Sequence, residues 1–327
     1  MLHTFVGLMI TVLMTGEIAS LYVSFKVVHQ PLRSENSEGR RMSQTQTYKS
    51  FEISPISGAL GAVVTGIDLS KKLEAPEFTE IKSALNQFLV LLFRDQSLTV
   101  AGQRAFAEHF GSLIPHPYVH GVDEDPAIFQ IVREPGEDYS WDNFYHSDLM
   151  FLERPPMGSA LYAEEVPPYG ADTEFCNMYL AYEALSEGLK ELVDSLRVVN
   201  ESGDTKQWSA TYEGMHEKED KEGRAVHPLV RIHPDTGRKS LYVSPAFSTH
   251  FEGMTVAESK PMMDYLYEHA IQSRFGCRLH WEKGSLALWD NRVSLHHAVA
   301  DYFGEVTAHR RVMRRATIQG EVPIPAH

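Results

Sequence analysis

The spacing of apolar residues along the chain predicts amphipathic helices. Between positions 76 and 88, apolar residues recur at intervals of three and four: Phe78, Ile81, Leu85 and Phe88. Such a stripe is typical of a helix that buries one face against a core. Thr99 is suited to begin a second helix, and Gly111 is suited to end it.

Two further helices are predicted in the second half of the chain. Ser186 is placed to cap a helix with four apolar residues on one face: Leu189, Leu192, Val193 and Leu196. Thr255 and Glu258 have the spacing of a capping box, which predicts a helix running from there to about Ala270.

Alternation of apolar and polar residues predicts strands, above all in the C-terminal third. The alternating apolar set there is Phe275, Cys277, Leu279 and Trp281, as in a strand with one buried face. Apolar runs at 89–93 and 286–289 are interpreted as short buried strands, 234–237 as a turn between two strands, and 310–318 as the last strand. Because these strands follow one another across turns without regular alternation with helices, the pattern favours a mainly β fold with an antiparallel core and helices packed outside.

The N-terminal region differs from the rest of the chain. Residues 5–14 and 21–28 are mostly apolar, but Glu17 interrupts them and no Lys or Arg precedes the first run. A secretory signal has such a charge, and a spanning helix needs about 20 apolar residues. We favour a misassigned start, with Met42 as the true one, over a targeting or anchor segment. Residues 1–50 are interpreted as an N-terminal extension and 51–327 as one domain.

Composition narrows the classes of partner. The formal net charge of the 327-residue chain is -14, which disfavours nucleic acid and anionic membranes because both are themselves negatively charged. Cys176 and Cys277 form no metal-binding pattern, and two thiols so far apart are typical of a reduced, cytoplasmic protein. The partner expected is a small molecule, and a homo-oligomer remains possible.

Two His-x-Asp triplets are candidates for a metal site. Two histidines and one carboxylate leave open positions on a metal, which suits Fe(II), and residues i and i+2 of an extended segment point the same way. The triplets are 146–148 (His-Ser-Asp) and 233–235 (His-Pro-Asp). In the second, Asp235 lies in a turn and is expected to face solvent. The first is preferred because its flanks suit a strand entering a core.

Two arginines near the C-terminus share one face of the predicted last strand. Arg311 and Arg315 lie four residues apart, or about 13 Å at strand rise. If that face lines the interior, each cation requires an anion: the distal carboxylate of a dicarboxylic cosubstrate for one, and an acidic group of the substrate for the other. The alternative is a solvated face with two surface charges.

Taken together, these features resemble the taurine dioxygenase and phenoxyacetate dioxygenase family of Fe(II)/2-oxoglutarate enzymes. The resemblance extends from Phe51 to Pro323. It is carried in order by Gly58-Ala59 to Asp68-Leu69, Phe93-Arg94-Asp95-Gln96, the triplet at 146–148, Gly170-Ala171-Asp172-Thr173, Trp289-Asp290-Asn291-Arg292 and Arg315-Ala316-Thr317. Several motifs in the right order are far more specific than any one of them.

The resemblance implies a fold and a role for nine residues. The fold is a double-stranded β-helix, a jelly-roll, cupin-like core with flanking helices. The implied iron ligands are His146, Asp148 and His296. The implied 2-oxoglutarate residues are Thr173 and Arg311, with Arg310 as an alternative because the segment after His296 is longer than in the taurine enzyme. The implied substrate residues are His116, Asn143, Phe247 and Arg315.

The resemblance also implies a reaction. Fe(II), 2-oxoglutarate and O2 would oxidise a small anionic organic substrate, giving succinate and CO2. Taurine or another sulfonate, with release of sulfite, is favoured. An aryloxyalkanoate or other carboxylate and an alkyl sulfate are the alternatives within the family. A non-catalytic cupin-like binding module and a zinc hydrolase are the rival classes.

Overall fold

The computed structural model describes residues 47–137, 143–203 and 223–326. Tyr48–His327 forms one compact unit. The N-terminal segment, on which the alternative start at Met42 and the anchor hypothesis depend, lies outside the described residues. Within the three described ranges, no helix is long and apolar enough to cross a membrane.

The described residues form strands and helices that we number in chain order. The strands are β1 (Glu52–Pro55), β2 (Ala62–Thr65), β3 (Val90–Phe93), β4 (Ile128–Arg133), β5 (Gly158–Glu165), β6 (Thr173–Asn177), β7 (Arg197–Glu201), β8 (Arg224–Pro228), β9 (Val230–Ile232), β10 (Lys239–Leu241), β11 (Ser248–Phe251), β12 (Gly276–Leu279), β13 (Leu286–Asp290), β14 (Ser294–Ala298), β15 (Arg311–Ile318) and β16 (Ile324–Pro325). The α-helices are α1 (Ala75–Phe88), α2 (Val100–Glu108), α3 (Met178–Glu183), α4 (Glu187–Asp194) and α5 (Val256–Ala270).

The strands pair mainly antiparallel, which confirms the predicted β core with helices around it. The largest sheet has seven strands in the order β1-β2-β3-β13-β5-β15-β4, and only its β2–β3 pair is parallel. Three-stranded sheets accompany it: β12-β6-β14, β11-β7-β8 and β10-β9-β16.

Strand β13, in the middle of the seven-stranded sheet, is buried on both faces. In β13, Leu286 and Leu288 belong to the apolar cluster with Ile81 and Leu85 of α1. The alternate residues Ala287 and Trp289 instead belong to the cluster with Phe175 and Leu279 of the β12-β6-β14 sheet. Because successive side chains point to opposite faces, burial on both sides explains why the sequence there is a continuous apolar run.

The helix predictions are confirmed for α1, α2 and α5, although α2 ends at Glu108, before the predicted Gly111. Leu89 follows α1 in the left-handed region, with φ 65°, and leads directly into β3. Thr99 caps α2 by accepting a hydrogen bond from the Gly102 backbone N–H at 3.0 Å. The capping box of Thr255 and Glu258 is formed at the start of α5.

Some predicted element boundaries are wrong. Ser186 occupies the N-cap position of α4 without a side-chain capping bond, Leu192 is 42% exposed, and Leu196 lies beyond the helix end. The alternating set around β12 is also longer than the strand, because Phe275 lies in a short 3-10 helix. The chain forms one more strand, β16, after the predicted last one.

The His-Pro-Asp triplet lies in the predicted turn, between β9 and β10. His233 is fully buried, and its Nε2 lies 3.0 Å from Oδ2 of Asp290. Asp235 is exposed, as predicted, and pairs with Nζ of Lys82 at 2.8 Å. The histidine therefore stabilises the fold through a buried carboxylate.

We expect His233→Ala to destabilise the protein without affecting metal binding. Loss of a buried hydrogen bond to a charged group costs about 1.5 to 3 kcal/mol, whereas removal of the exposed Lys82–Asp235 pair by Lys82→Ala costs at most about 1 kcal/mol. Urea denaturation with metal titration of the folded variants checks both values. Loss of metal binding by folded His233→Ala would contradict this interpretation.

Candidate active site

A single backbone bridge brings His146 beside His296. His296 lies in β14, whereas His146 belongs to an irregular segment instead of the predicted strand. The two residues form an isolated antiparallel bridge, with backbone N–O distances of 2.9 and 2.8 Å. Their imidazole centroids are 4.3 Å apart. The chain then turns at Asp148, which lies on the same side as His146.

The side chains of His146, Asp148 and His296 form a buried cluster, which we call the His-Asp-His cluster. One ligand atom of each residue lies within 4.8 Å of the others. Oδ1 of Asp148 is 3.6 Å from Nε2 of both histidines. Two imidazole nitrogens and one carboxylate oxygen therefore converge from one side, as a metal with open positions requires.

Hydrogen bonding and packing orient the two imidazoles. Nδ1 of His146 lies 2.9 Å from the carbonyl oxygen of Phe144, which can only accept, so Nε2 presents its lone pair to the cluster. His296 stacks on Phe175 with a centroid distance of 5.5 Å and also contacts Trp289. Burial lowers the pKa of His296 well below its usual value, and the neighbouring His146 lowers it further. Both effects favour the neutral imidazole that binds metals.

The second oxygen of Asp148 faces away from the histidines. Oδ2 accepts hydrogen bonds from Nδ2 of Asn291 at 2.6 Å and from Oγ of Ser159 at 3.3 Å, and it pairs with Arg315. Burial opposes ionisation of Asp148, but the Arg315 guanidinium and the histidines hold the pKa of the carboxyl well below its usual value. Asp148 is therefore a carboxylate with Oδ1 directed to the cluster.

The Trp-Asp-Asn-Arg motif at 289–292 holds this arrangement. Nε1 of Trp289 donates to Oδ1 of Asn291 at 2.9 Å, and Asn291 in turn orients Asp148. Asp290 and Arg292 pair with each other through two hydrogen bonds of 2.8 and 2.6 Å. Sequence reasoning singled out the motif but assigned no role to Asn291. It gave no signal at all for Ser159.

A cavity beside the cluster is lined by Arg311 and Arg315 of β15. Its polar lining consists of Thr173, His296, Arg311 and Arg315, and its walls include Phe175, Trp281 and Trp289. Arg311 is 6% exposed, whereas Arg310 is exposed and pairs with Glu134 at 2.9 Å. The solvated-face alternative is therefore wrong, and of the two neighbouring arginines Arg311 lines the cavity.

The remaining predicted residues differ in their distance from the cluster. The ring of Phe247 is perpendicular to that of His146, with a centroid distance of 6.4 Å. His116 contacts Phe129 at 5.1 Å, and Phe129 lies beneath the Arg315 guanidinium at 5.9 Å. Asn143 is exposed, and among the described contacts no hydrogen bond joins it to the cluster.

Arg315 borders both the cluster and the cavity. Its guanidinium pairs with Asp148, donates a hydrogen bond from Nη2 to Ser159 Oγ at 3.0 Å and lies over the Trp289 ring at 5.3 Å. The sequence predicted a free cation facing a substrate anion. In the structure this cation pairs with the carboxylate of the cluster.

The residues fit the group that the resemblance implies. Two imidazoles and one carboxylate are a donor set for non-haem Fe(II) that leaves positions for other ligands. A buried arginine beside a threonine hydroxyl fits a carboxylate that lies in the adjoining cavity.

Comparison with known proteins agrees with this chemistry. Residues 52–317 match the family described as "Taurine catabolism dioxygenase TauD, TfdA family". An alpha-ketoglutarate-dependent sulfate ester dioxygenase of Pseudomonas putida is 32% identical over 290 residues, which cover 84% of this chain and 91% of the relative. An alpha-ketoglutarate-dependent 2,4-dichlorophenoxyacetate dioxygenase of Cupriavidus pinatubonensis is 34% identical over 287 residues, covering 80% and 96%.

A solved structure agrees as well. The crystal structure of a taurine dioxygenase from Burkholderia xenovorans superimposes with a TM-score of 0.72 and 36% identity, over 85% of this chain and 92% of that one. The match confirms the fold expected from the resemblance. The chain belongs to the TauD, TfdA family of taurine catabolism dioxygenases.

Proposed function

We propose that this protein oxidises a small anionic organic substrate at a metal centre formed by His146, Asp148 and His296. As a member of its family, the chain is a 2-oxoglutarate-dependent dioxygenase that uses Fe(II), 2-oxoglutarate and O2. The observation that carries the assignment of the centre is the convergence of Oδ1 of Asp148 on both Nε2 atoms, at 3.6 Å each. Fe(II) bound there supplies the activation of O2 that couples conversion of 2-oxoglutarate to succinate and CO2 with oxidation of the substrate.

In this proposal Arg311 and Thr173 bind the distal carboxylate of 2-oxoglutarate. An arginine stays charged at any working pH and can bind a carboxylate through two parallel hydrogen bonds. Oγ1 of Thr173 accepts a hydrogen bond from Nε1 of Trp281 at 3.0 Å, so its own hydroxyl hydrogen remains available as a donor. Trp281 and Phe175 wall the cavity with apolar surface and exclude water from it.

For the substrate we propose a sulfonate such as taurine first, with release of sulfite. The positions of Arg315 and His116 favour a substrate with an anionic group on this side of the cluster. The position of Phe247 favours a substrate that extends past His146. The proposal agrees with the taurine dioxygenase among the similar structures.

A specific observation favours a second candidate, a sulfate ester or aryloxyalkanoate with an apolar body. Phe247 belongs to a buried apolar cluster beside His146: Tyr118, Leu149, Met150, Phe151, Tyr242 and Phe247. A substrate ammonium such as that of taurine requires a polar partner, and Asn143, a predicted substrate residue, is exposed. The apolar surroundings instead match an alkyl chain or an aromatic ring.

The experiment that tests the proposal measures succinate with a panel of substrates. Purified protein with Fe(II), 2-oxoglutarate and O2 is given taurine, an alkyl sulfonate, an alkyl sulfate or an aryloxyacetate. We expect one substrate class to raise succinate formation stoichiometrically with product, and sulfite or sulfate release to separate the sulfur classes. Absence of substrate-stimulated succinate across the panel would favour the binding-module alternative. Turnover without 2-oxoglutarate would favour a hydrolase.

We propose a cellular location and a class of partner from the cysteines and the net charge of the chain. The thiols of Cys176 and Cys277 are both free and buried, which supports a cytoplasmic location. The net charge of -14 supports a small molecule, not a nucleic acid, as the partner.

A further inference from the structure

The outer face of β6 carries a carboxylate that contacts both segments of the His-Asp-His cluster. Oε2 of Glu174 accepts a hydrogen bond from the Tyr145 hydroxyl at 2.9 Å and lies 3.1 Å from Nε2 of His297. The rings of Tyr145 and His297 contact each other with a centroid distance of 4.2 Å. We call these three side chains the outer clamp.

Each donor of the outer clamp is the chain neighbour of a cluster histidine. Tyr145 precedes His146, and His297 follows His296. Because side chains alternate along an extended chain, the neighbours point outward while the histidines point inward. One carboxylate oxygen therefore connects, from behind, the two segments that carry the imidazoles.

The segment of His146 is held mainly by side-chain contacts, such as those of Ser147 and Asp148 with Asn291. It forms no strand, and its backbone meets β14 only at the isolated bridge between His146 and His296. The His296 side is firmly held, because β14 pairs with β6 from Ser294 to Ala298. The Tyr145 hydroxyl thus adds a side-chain attachment one residue from the imidazole of His146, whose placement decides the metal geometry.

Glu174 is itself well anchored between strands. It lies opposite His297 on β14 and opposite Arg278 on β12, and Arg278 Nη1 is 3.9 Å from its Oε1. Its neighbour Phe175 points to the other face and stacks on His296. β6 therefore supports His296 from inside and both histidine segments from outside.

We propose that Glu174 is a positioning residue for the metal centre, acting through the hydrogen bonds of Tyr145 and His297 to its single oxygen Oε2. The inference rests on the proposed metal site at His146, Asp148 and His296. It needs the hydrogen-bond acceptor and not the negative charge, since both donors converge on one atom.

The test measures the Mn(II) affinity and the Co(II) spectra of three full-length variants and compares them with those of the unaltered protein. The variants are Glu174→Leu, Glu174→Gln and Tyr145→Phe. Loss of an outer partner of a metal site typically costs 10- to 100-fold in affinity, and we expect Glu174→Leu to weaken Mn(II) binding about tenfold on that scale. Glu174→Gln should bind within about twofold of the unaltered protein, because its amide oxygen replaces Oε2. Altered d–d bands of bound Co(II) in Glu174→Leu and their recovery in Glu174→Gln report the geometry directly.

Two further variants make the outcome decisive. Combining Tyr145→Phe with Glu174→Leu should weaken binding no more than Glu174→Leu alone, since both remove the same attachment. Glu252→Leu is the matched control, because Glu252 makes an exposed pair with Arg197 at 3.0 Å outside the cluster; it should leave Mn(II) affinity unchanged.

The positioning role of the outer clamp and the proposed metal site would be contradicted by different results. If Glu174→Leu and Tyr145→Phe bind Mn(II) like the unaltered protein while His146→Ala does not, the clamp is wrong and the site stands. Equal losses in Glu174→Gln and Glu174→Leu would also overturn positioning through one hydrogen-bonded oxygen. Mn(II) binding that survives in His146→Ala would overturn the proposed metal site itself.

Discussion

Replacement of Asp148 by asparagine or alanine is expected to abolish turnover and to remove high-affinity metal binding. Oδ1 of Asp148 is the anionic donor of the cluster, while Oδ2 forms an ion pair with Arg315. Loss of a residue that only orients a metal ligand typically costs 10- to 100-fold in metal affinity. Loss of the ligand itself should cost more, so we expect Mn(II) binding to weaken by more than about 100-fold. Calorimetric titration with Mn(II), together with succinate formation, measures both effects.

A matched control is available in the same motif region. Asp290 is also a buried carboxylate paired with an arginine, Arg292, at 2.6 Å, but it faces His233 and not the cluster. Arg292 and His233 outweigh the cost of burial and hold the pKa of Asp290 far below its usual value, so Asp290→Asn should lose stability yet keep metal stoichiometry. Near-normal activity of Asp148→Ala would mean that the metal site lies elsewhere.

Arg311→Gln is expected to raise the apparent KM for 2-oxoglutarate strongly. Loss of one partner of a buried, charge-assisted pair costs about 2 to 5 kcal/mol, and each 1.4 kcal/mol is tenfold, so the expected rise is about 30- to 4000-fold. Arg310→Gln is the matched control, because Arg310 pairs with Glu134 at the protein surface. Its replacement should change the KM for 2-oxoglutarate little. Steady-state succinate formation with varied 2-oxoglutarate gives both values.

Arg315→Gln should have a different effect. The spacing on β15 alone predicts a higher KM for the primary substrate with little change for 2-oxoglutarate. The contact with Asp148 adds a second consequence, weaker metal binding, because the carboxylate loses its buried counter-charge. Assays at saturating Mn(II) or Fe(II) separate the two. Equal losses of 2-oxoglutarate affinity in Arg311→Gln and Arg315→Gln would contradict the division of roles.

The local features of this fold could be read from the sequence because short-range chemistry decides them. Helical spacing of Ile81, Leu85 and Phe88 is enough to specify a buried face, and Thr255 with Glu258 specifies a helix start. The faces of a strand follow from its period of two, which is why Arg311 and Arg315 could be assigned to one face. The family motifs added the order of the candidate residues along the chain.

The sequence alone could not decide which atoms meet. A period of two predicts which residues of β15 share a face, but it does not predict how deeply that face is buried. The alternative of a solvated face is excluded only by the tertiary structure, in which the β12-β6-β14 sheet covers this face. Turn chemistry is local, so the exposure of Asp235 could be predicted, whereas the burial of His233 against Asp290 joins positions 57 residues apart.

The tertiary structure likewise decided the partners within the site. Ser159, Asn291 and Arg315 meet at one oxygen of Asp148, and Tyr145 and His297 meet at one oxygen of Glu174. The sequence determined the residue types that can donate, accept and bind metal, and the helices and strands that carry them. Only the folded chain determined the pairs, because hydrogen bonds and ion pairs depend on distances of about 3 Å between atoms that strand pairing brings together from distant positions.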